Sequence, residues 1–309
     1  MIVAINCKMV YNAQKMMGVR NMLTKEQFQE LLQKGPLILD GATGSNLRNA
    51  GMPKGCCTEQ WILENPVPLV NLQRAYAEAG SQIIYAPTFQ AQPIALKTVG
   101  LERQTEAINE ALVALSRSAA PGCLIAGDLT TLTAFCDSWN PDNFDLLVEN
   151  YRRQIRGLID GGADLLVGET LLYPQEAEAI LCAAELEGAG AAMYTFTMQA
   201  DGSLFSGADA GKVLKGLEEA GAAAVGFNCV AADMMTPYLI TKLRRYVKGP
   251  LICKPNAGVP IIDDKGIANY SQTPEEFASI VRQCKENGAN IFGGCCGTAP
   301  DYIRAIRDL

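Results

Sequence analysis

The sequence predicts an α/β protein built as a single (β/α)8 barrel of the TIM type, and three observations point there. Eight short apolar runs alternate with eight longer amphipathic stretches from residue 36 to the end. Four of the joins repeat one phrase: EAGSQII, DGGADLLV, EAGAAAV and ENGANIF each place a glycine at a helix end just before a strand. The length, 309 residues, suits a barrel of about 250 residues with insertions. Alternating strands and helices imply a parallel sheet, and eight repeats close it. An open doubly wound sheet is the rival, but it needs no count of eight, and no GxGxxG follows the first strand.

The strands are read at PLILD (36–40), SQIIYAP (81–87), CLIAGDL (123–129), DLLVGET (164–170), AAMYTFT (191–197), AAAVGFNC (222–229), PLICKPN (250–256) and NIFGGCC (290–296). Helices are expected near 65–79, 102–118, 144–160, 174–188, 209–220, 233–248 and 274–287, with a last one from Pro300. At TPEEF, Thr273 can cap, Pro274 suits the first helical position and Glu276 completes a capping box. Residues 36–309 are thus assigned to the barrel, and residues 1–35 to an N-terminal extension with a leading helix. The segment before Met22 lacks the charged start, apolar run and cleavage site of a secretory signal.

Composition excludes several function classes. The net charge is −7 with no basic run, which disfavours nucleic acid and anionic membranes as partners. No apolar stretch approaches the roughly 20 residues of a membrane span, so a cytoplasmic location is expected. Eleven cysteines are scattered along a long chain, unlike the disulfide framework of a short secreted domain. Histidine is absent, so no step can use imidazole, and a transition-metal site must rest on Cys, Asp or Glu.

Active sites of such barrels lie at the C-terminal strand ends. Here those ends carry Asp40, Thr88, Asp128, Glu169, Thr197, Asn228, Cys229, Asn256, Cys295 and Cys296. Cys229 ends the sixth strand, and Cys295 and Cys296 end the eighth, so the three thiols can meet over the mouth. Three thiolates with an open fourth position describe a catalytic zinc site. Taken alone, the CC pair also admits a vicinal disulfide or two core thiols. Cys123, Cys182, Cys253 and Cys284 read as core thiols, and the second pair, Cys56 and Cys57, as structural or incidental.

These residues resemble the homocysteine S-methyltransferase family, which includes the homocysteine domain of cobalamin-dependent methionine synthase and betaine–homocysteine methyltransferase. The likeness runs from about residue 36 to 309 through LDGATGS (39–45), GET (168–170), GFNC (226–229), KPNAG (254–258) and NIFGGCCGT (290–298). The resemblance implies a (β/α)8 barrel with Zn2+ on Cys229, Cys295 and Cys296. It also implies methyl transfer to homocysteine, giving methionine. Zinc makes a bound thiol a thiolate at neutral pH, so a chain without histidine needs no general base. By the same resemblance, Asp40 and Glu169 hold the substrate ammonium, and backbone N–H groups around Ala42 and Thr43 hold its carboxylate. Asp128 reads as structural, and Asn228 and Asn256 as residues that tie loops and orient the thiolates.

Three stretches depart from the family's usual pattern. GDLTTLTAF (127–135) lacks a Gly-Pro, APTF (86–89) replaces TNTF, and Lys254 stands where an acidic residue is frequent. The methyl donor is left open between a small sulfonium or ammonium compound and a corrinoid on a separate protein. Phe89, Phe135, Trp139 and Tyr173 fall in loops suited to a cationic donor. Two further readings are a methyltransferase subunit for another thiol and a non-catalytic zinc-binding or redox-sensing barrel.

Overall fold

The computed structural model describes residues 22–262 and 268–309. The expectation of an extension before Met22 lies outside them. The eight barrel strands are β1 Leu37–Ile38, β2 Ile83–Tyr85, β3 Leu124–Thr130, β4 Leu165–Leu171, β5 Ala192–Phe196, β6 Ala224–Ala231, β7 Leu251–Asn256 and β8 Ile291–Phe292. Every neighbouring pair is parallel, and the order β1-β8-β7-β6-β5-β4-β3-β2 runs around the ring. A parallel bridge from Leu39 to Ile83 joins the last strand to the first and closes the barrel.

The predicted helices form where their caps allow. The long ones are Pro66–Ala79, Thr105–Ala119, Phe144–Asp160, Pro174–Glu187, Ala210–Glu219, Thr236–Arg244 and Pro274–Glu286, with Pro300–Ile306 last. Thr273 caps its helix as the sequence suggests, with the reciprocal Glu276 bond. Gly80 ends the first of them at φ 116°, a left-handed backbone that costs glycine nothing, and the next residues enter β2. Short helices at Gly44–Asn49 and Thr58–Glu64 were not foreseen. Both are under two turns, too short for a periodic signal. The second begins directly after Cys57, so the Cys56–Cys57 pair lies in the loop that leads into it.

Side chains alternate inward and outward along each strand. Leu37, Leu39, Ile83, Tyr85, Ala126, Leu165, Val167, Met193, Ala224, Ile252 and Ile291 fill the barrel interior as one buried cluster. The opposite faces pack on the helices in a second, larger cluster. Phe28, fully buried, joins the inner cluster from the leading helix Lys25–Leu32. That helix is tied on through Leu23 N–H to Asp164 O (2.8 Å) and Ala191 N–H to Leu23 O (2.6 Å). Residues 22–35 therefore stopper the N-terminal end of the barrel instead of trailing from it. Burying a Phe side chain contributes about 1.5–3 kcal/mol.

A two-stranded antiparallel ribbon, Ile261–Ile262 with Ala268–Asn269, rises from the loop after β7. Among the described residues no helix is long and apolar enough to cross a membrane.

Candidate functional site

Strand alternation carries polar side chains into the top layer of the interior. Two residues beyond Ala126, Val167, Met193 and Ile252 stand Asp128, Glu169, Thr195 and Lys254, all buried. Asn228 faces the same layer from β6. Above it sit the three thiols.

Cys229 owes its position to a break in its strand. The register between β6 and β7 shifts between Asn228 and Ala231, and Cys229 adopts φ 57°. β4 is irregular at the matching height, between Gly168 and Leu171, with Thr170 at φ 58°. A bulge re-aims a side chain, and positive φ in a β-branched residue is an outlier that persists only where its surroundings enforce it. Asn228 is the enforcer. Its Nδ2 donates to Thr170 Oγ1 (2.6 Å), and its Oδ1 accepts from Thr170 N–H (2.9 Å). The same Nδ2 lies 3.6 Å from Cys295 Sγ. Asn228 thus ties two strand ends together and touches the thiol cluster.

The dithiol turn is fixed by its backbone. Gly294 N–H donates to Asp40 O (3.0 Å), Cys295 N–H to Pro255 O (2.7 Å), and Ala257 N–H to Cys296 O (3.0 Å). A Cβ at Gly293 would meet Leu39 Cβ at 2.8 Å and Asp40 O at 2.9 Å, so only glycine lets the turn lie against β1. Thr298 closes it: its Oγ1 donates to Cys295 O (2.7 Å) and accepts from Ala42 N–H (3.1 Å).

Cys229, Cys295 and Cys296 are free thiols, and their Sγ atoms all lie within 4.8 Å of one another. In this structure no disulfide joins Cys295 to Cys296. Cys229 Sγ and Cys296 Sγ are 3.9 Å apart. Sulfur atoms on one tetrahedral zinc sit about 3.8 Å apart, given Zn–S bonds of about 2.3 Å. The trio fits such an ion with little movement. Hydrogen bonds from Cys229 and Cys295, with a further one from Tyr270, pull the Cys296 thiol down to about 3 despite its burial.

Under the thiols lies a charged floor. Lys254 Nζ reaches across the barrel from β7 to Glu169 Oε1 on β4, 2.9 Å away, and sits 4.8 Å from the centroid of the Tyr85 ring. Burial alone would push Lys254 down, but Glu169, Cys295 and Asp40 hold it well above its usual range, so it stays a cation. Asp40 Oδ2 accepts from Tyr85 N–H (2.8 Å), and burial lifts the Asp40 carboxyl to about 7, against the pull of Lys254. Asp128 is pushed well above the ordinary carboxylate range by burial and then by Glu169.

A stability consequence follows for Asp40. Its folded value lies above its ordinary 3.8, so the folded state holds a proton that the unfolded chain has lost. Stability from this group is complete below about pH 4 and declines until the pH passes about 7. Asp40→Asn keeps the acceptor for Tyr85 without the charge. It is expected to be more stable than the parent at pH 8, by at most ~4 kcal/mol, with the gain gone at pH 4. Urea unfolding of both proteins at the two pH values reads this directly, and a gain of equal size at pH 4 would contradict it.

All the singled-out residues stand at the one end of the barrel: Asp40, Ala42, Thr43, Glu169 and the three cysteines. Cys123, Cys253 and Cys284 are buried away from it. Sequence reasoning gave no role to Lys254, Thr298 or Tyr270. Lys254 carried a signal, as a charged residue inside an otherwise apolar strand run, and Thr298 closes the NIFGGCCGT motif. Tyr270 carried none.

A parallel barrel with three converging thiols and a charged floor at its open end defines a class: a barrel of the TIM type with a soft-donor cluster at its mouth. The chain belongs to the homocysteine S-methyltransferase family, whose sequence model matches residues 37–309. Its structure is similar to the homocysteine methyltransferase MmuM from Escherichia coli in the metallated form, at 27% identity and a TM-score of 0.77, covering 91% of this chain and 99% of that one. The apo form of MmuM matches at 26% identity and a TM-score of 0.70, over 91% and 98% of the two chains. The carboxyl transferase domain of Rhizobium etli pyruvate carboxylase, at 16% identity, 97% and 52% coverage and a TM-score of 0.53, shares the fold alone.

Proposed function

We propose that this protein transfers a methyl group to the thiol of homocysteine, giving methionine, with zinc held by Cys229, Cys295 and Cys296. The observation that carries the reading is the convergence of three sulfurs over the open mouth of a barrel of this family. The likeness to a homocysteine methyltransferase that has a metallated form supports it. Bound there, zinc supplies Lewis acidity that keeps a substrate thiol deprotonated at neutral pH.

The chain's own residues do the rest. Asp40 and Glu169 line the floor where the amino-acid end rests, and the turn at Ala42 and Thr43 offers backbone N–H groups to its carboxylate. Ala42 N–H would exchange its bond to Thr298 for that contact. Asn228 and Tyr270 orient the sulfurs. The substrate sulfur attacks the methyl carbon in line, a C–S bond forming as the donor's bond to that carbon breaks.

A small cationic donor suits the rim. Trp139 and Tyr173 pack with their rings tilted 45° and centroids 5.4 Å apart, and with Phe205 and Glu178 they border a cleft of about 640 Å³. Aromatic faces beside a carboxylate favour a sulfonium or quaternary ammonium group. Free thiols in the cluster suit a reducing compartment, in keeping with the cytoplasm.

The test is methionine formation by the zinc-loaded protein from homocysteine with S-methylmethionine, S-adenosylmethionine, betaine or a methylated corrinoid protein. Turnover with one of them is the expected result. Bound zinc with no change on adding homocysteine, and no turnover with any donor, would favour the non-catalytic barrel.

A further inference from the structure

Glu176 is fully buried in the first turn of the helix Pro174–Glu187, and its two carboxyl oxygens serve two different loops. Oε2 accepts from Leu172 N–H (3.0 Å) and Tyr173 N–H (3.2 Å), in the loop after β4. A glutamate that accepts from the capping residue is an ordinary way to begin a helix. The other oxygen reaches further. Oε1 accepts from Leu132 N–H (3.1 Å), Thr133 Oγ1 (3.1 Å) and Thr131 Oγ1, in the loop after β3 and 43 to 45 positions away. Thr133 Oγ1 lies 2.8 Å from the buried Ser138 Oγ, whose neighbour in the chain is Trp139. Just past Trp139, Gln175 Nε2 donates to Asn140 O (2.8 Å). The hydroxyls belong to GDLTTLTAF (127–135), the stretch that departs from the family's usual Gly-Pro, a pair with no hydroxyl to offer.

These bonds lead to two aromatic rings. Tyr173 follows from one oxygen of Glu176 and Trp139 from the other, and the rings meet with centroids 5.4 Å apart at the rim cleft. Trp139 is 48% exposed, so the chain on either side, more than its own burial, sets its place. A buried polar network with its members satisfied holds one arrangement against others. We infer that Glu176 is a positioning residue for the methyl donor: by gripping the loops after β3 and β4 together, it sets the spacing of Trp139 and Tyr173 and with it the affinity for a cationic donor. This rests on the reading of that cleft as the donor's and adds what shapes it. A cation is held over ring faces within about 6 Å of their centroids, so displacing one loop leaves it with a single ring. Glu176, fully buried, acts through the two rings and not by contact with the donor.

The experiment uses the zinc-loaded protein carrying Trp61→Phe, which leaves Trp139 as the sole tryptophan. Tetramethylammonium chloride is the probe, with sodium chloride as the control for ionic strength. The parent should show a saturable change in Trp139 emission. Glu176→Gln sets an amide NH2 against groups that can only donate, so affinity for tetramethylammonium should fall about tenfold or more, the scale of one or two hydrogen bonds. Trp139 should also become more open to acrylamide quenching. Homocysteine affinity, read by calorimetry, should stay within about 3-fold of the parent value. The double variant T131V/T133V keeps the side-chain shape without the hydroxyls; it should give the same split, and it decides the matter should Glu176→Gln not fold. Unchanged tetramethylammonium affinity in either folded variant would overturn the inference. So would an equal fall for homocysteine, which would make Glu176 a general support of the barrel. A parent protein with no saturable response to tetramethylammonium would instead strike the donor reading of the cleft, and the inference with it.

Discussion

Replacing Cys296 with alanine is expected to lower zinc affinity on the order of a hundredfold or more and to abolish methyl transfer. Even residues that only orient a metal ligand typically cost 10–100-fold when removed, so losing a ligand outright must cost at least that. Cys296 is one of three converging sulfurs, and its removal leaves only two to hold the ion. The backbone should survive, because the turn is held by Cys295 N–H, Cys296 O and Thr298 rather than by the Cys296 side chain. Competition against a chelator reads the affinity, and circular dichroism reads the fold. A variant that keeps one zinc per chain and the parent rate would remove Cys296 from the site.

The second large effect is on stability. Lys254→Met should cost about 3–5 kcal/mol in urea unfolding, the usual result of leaving one partner of a buried ion pair without the other. Glu169 is 8% exposed, so it cannot turn to water. Adding Glu169→Gln to Lys254→Met should recover most of the loss, because a buried ion pair gains little net over well-packed neutral groups. A single variant that loses under about 1 kcal/mol would show that Glu169 finds another partner.

Much of this arrangement was legible in the sequence for a clear reason: the strand runs are short and apolar, and those of the second, fourth, sixth and eighth follow a glycine at the preceding helix end. Their positions followed from that pattern, and the three thiols followed from where two strands ended. The first, second and eighth strands are shorter than their apolar runs. Only Leu37–Ile38, Ile83–Tyr85 and Ile291–Phe292 stay in the ladder, and the chain turns away at Gly41 after the first and at Gly293–Gly294 after the eighth. The bulges at Thr170 and Cys229 left no trace, since VGETLL and GFNCVA alternate no differently from regular strands. The Lys254–Glu169 pair was equally hidden. The residues are 85 positions apart, and only barrel closure brings β7 to face β4.

The stopper formed by Phe28 and its helix has a bearing on traffic. Behind the thiols the interior is packed with side chains down to Phe28, so acceptor, donor and product must share the thiol-lined threshold. A bulky carrier could present its methyl group only from above that threshold, never by way of the opposite end.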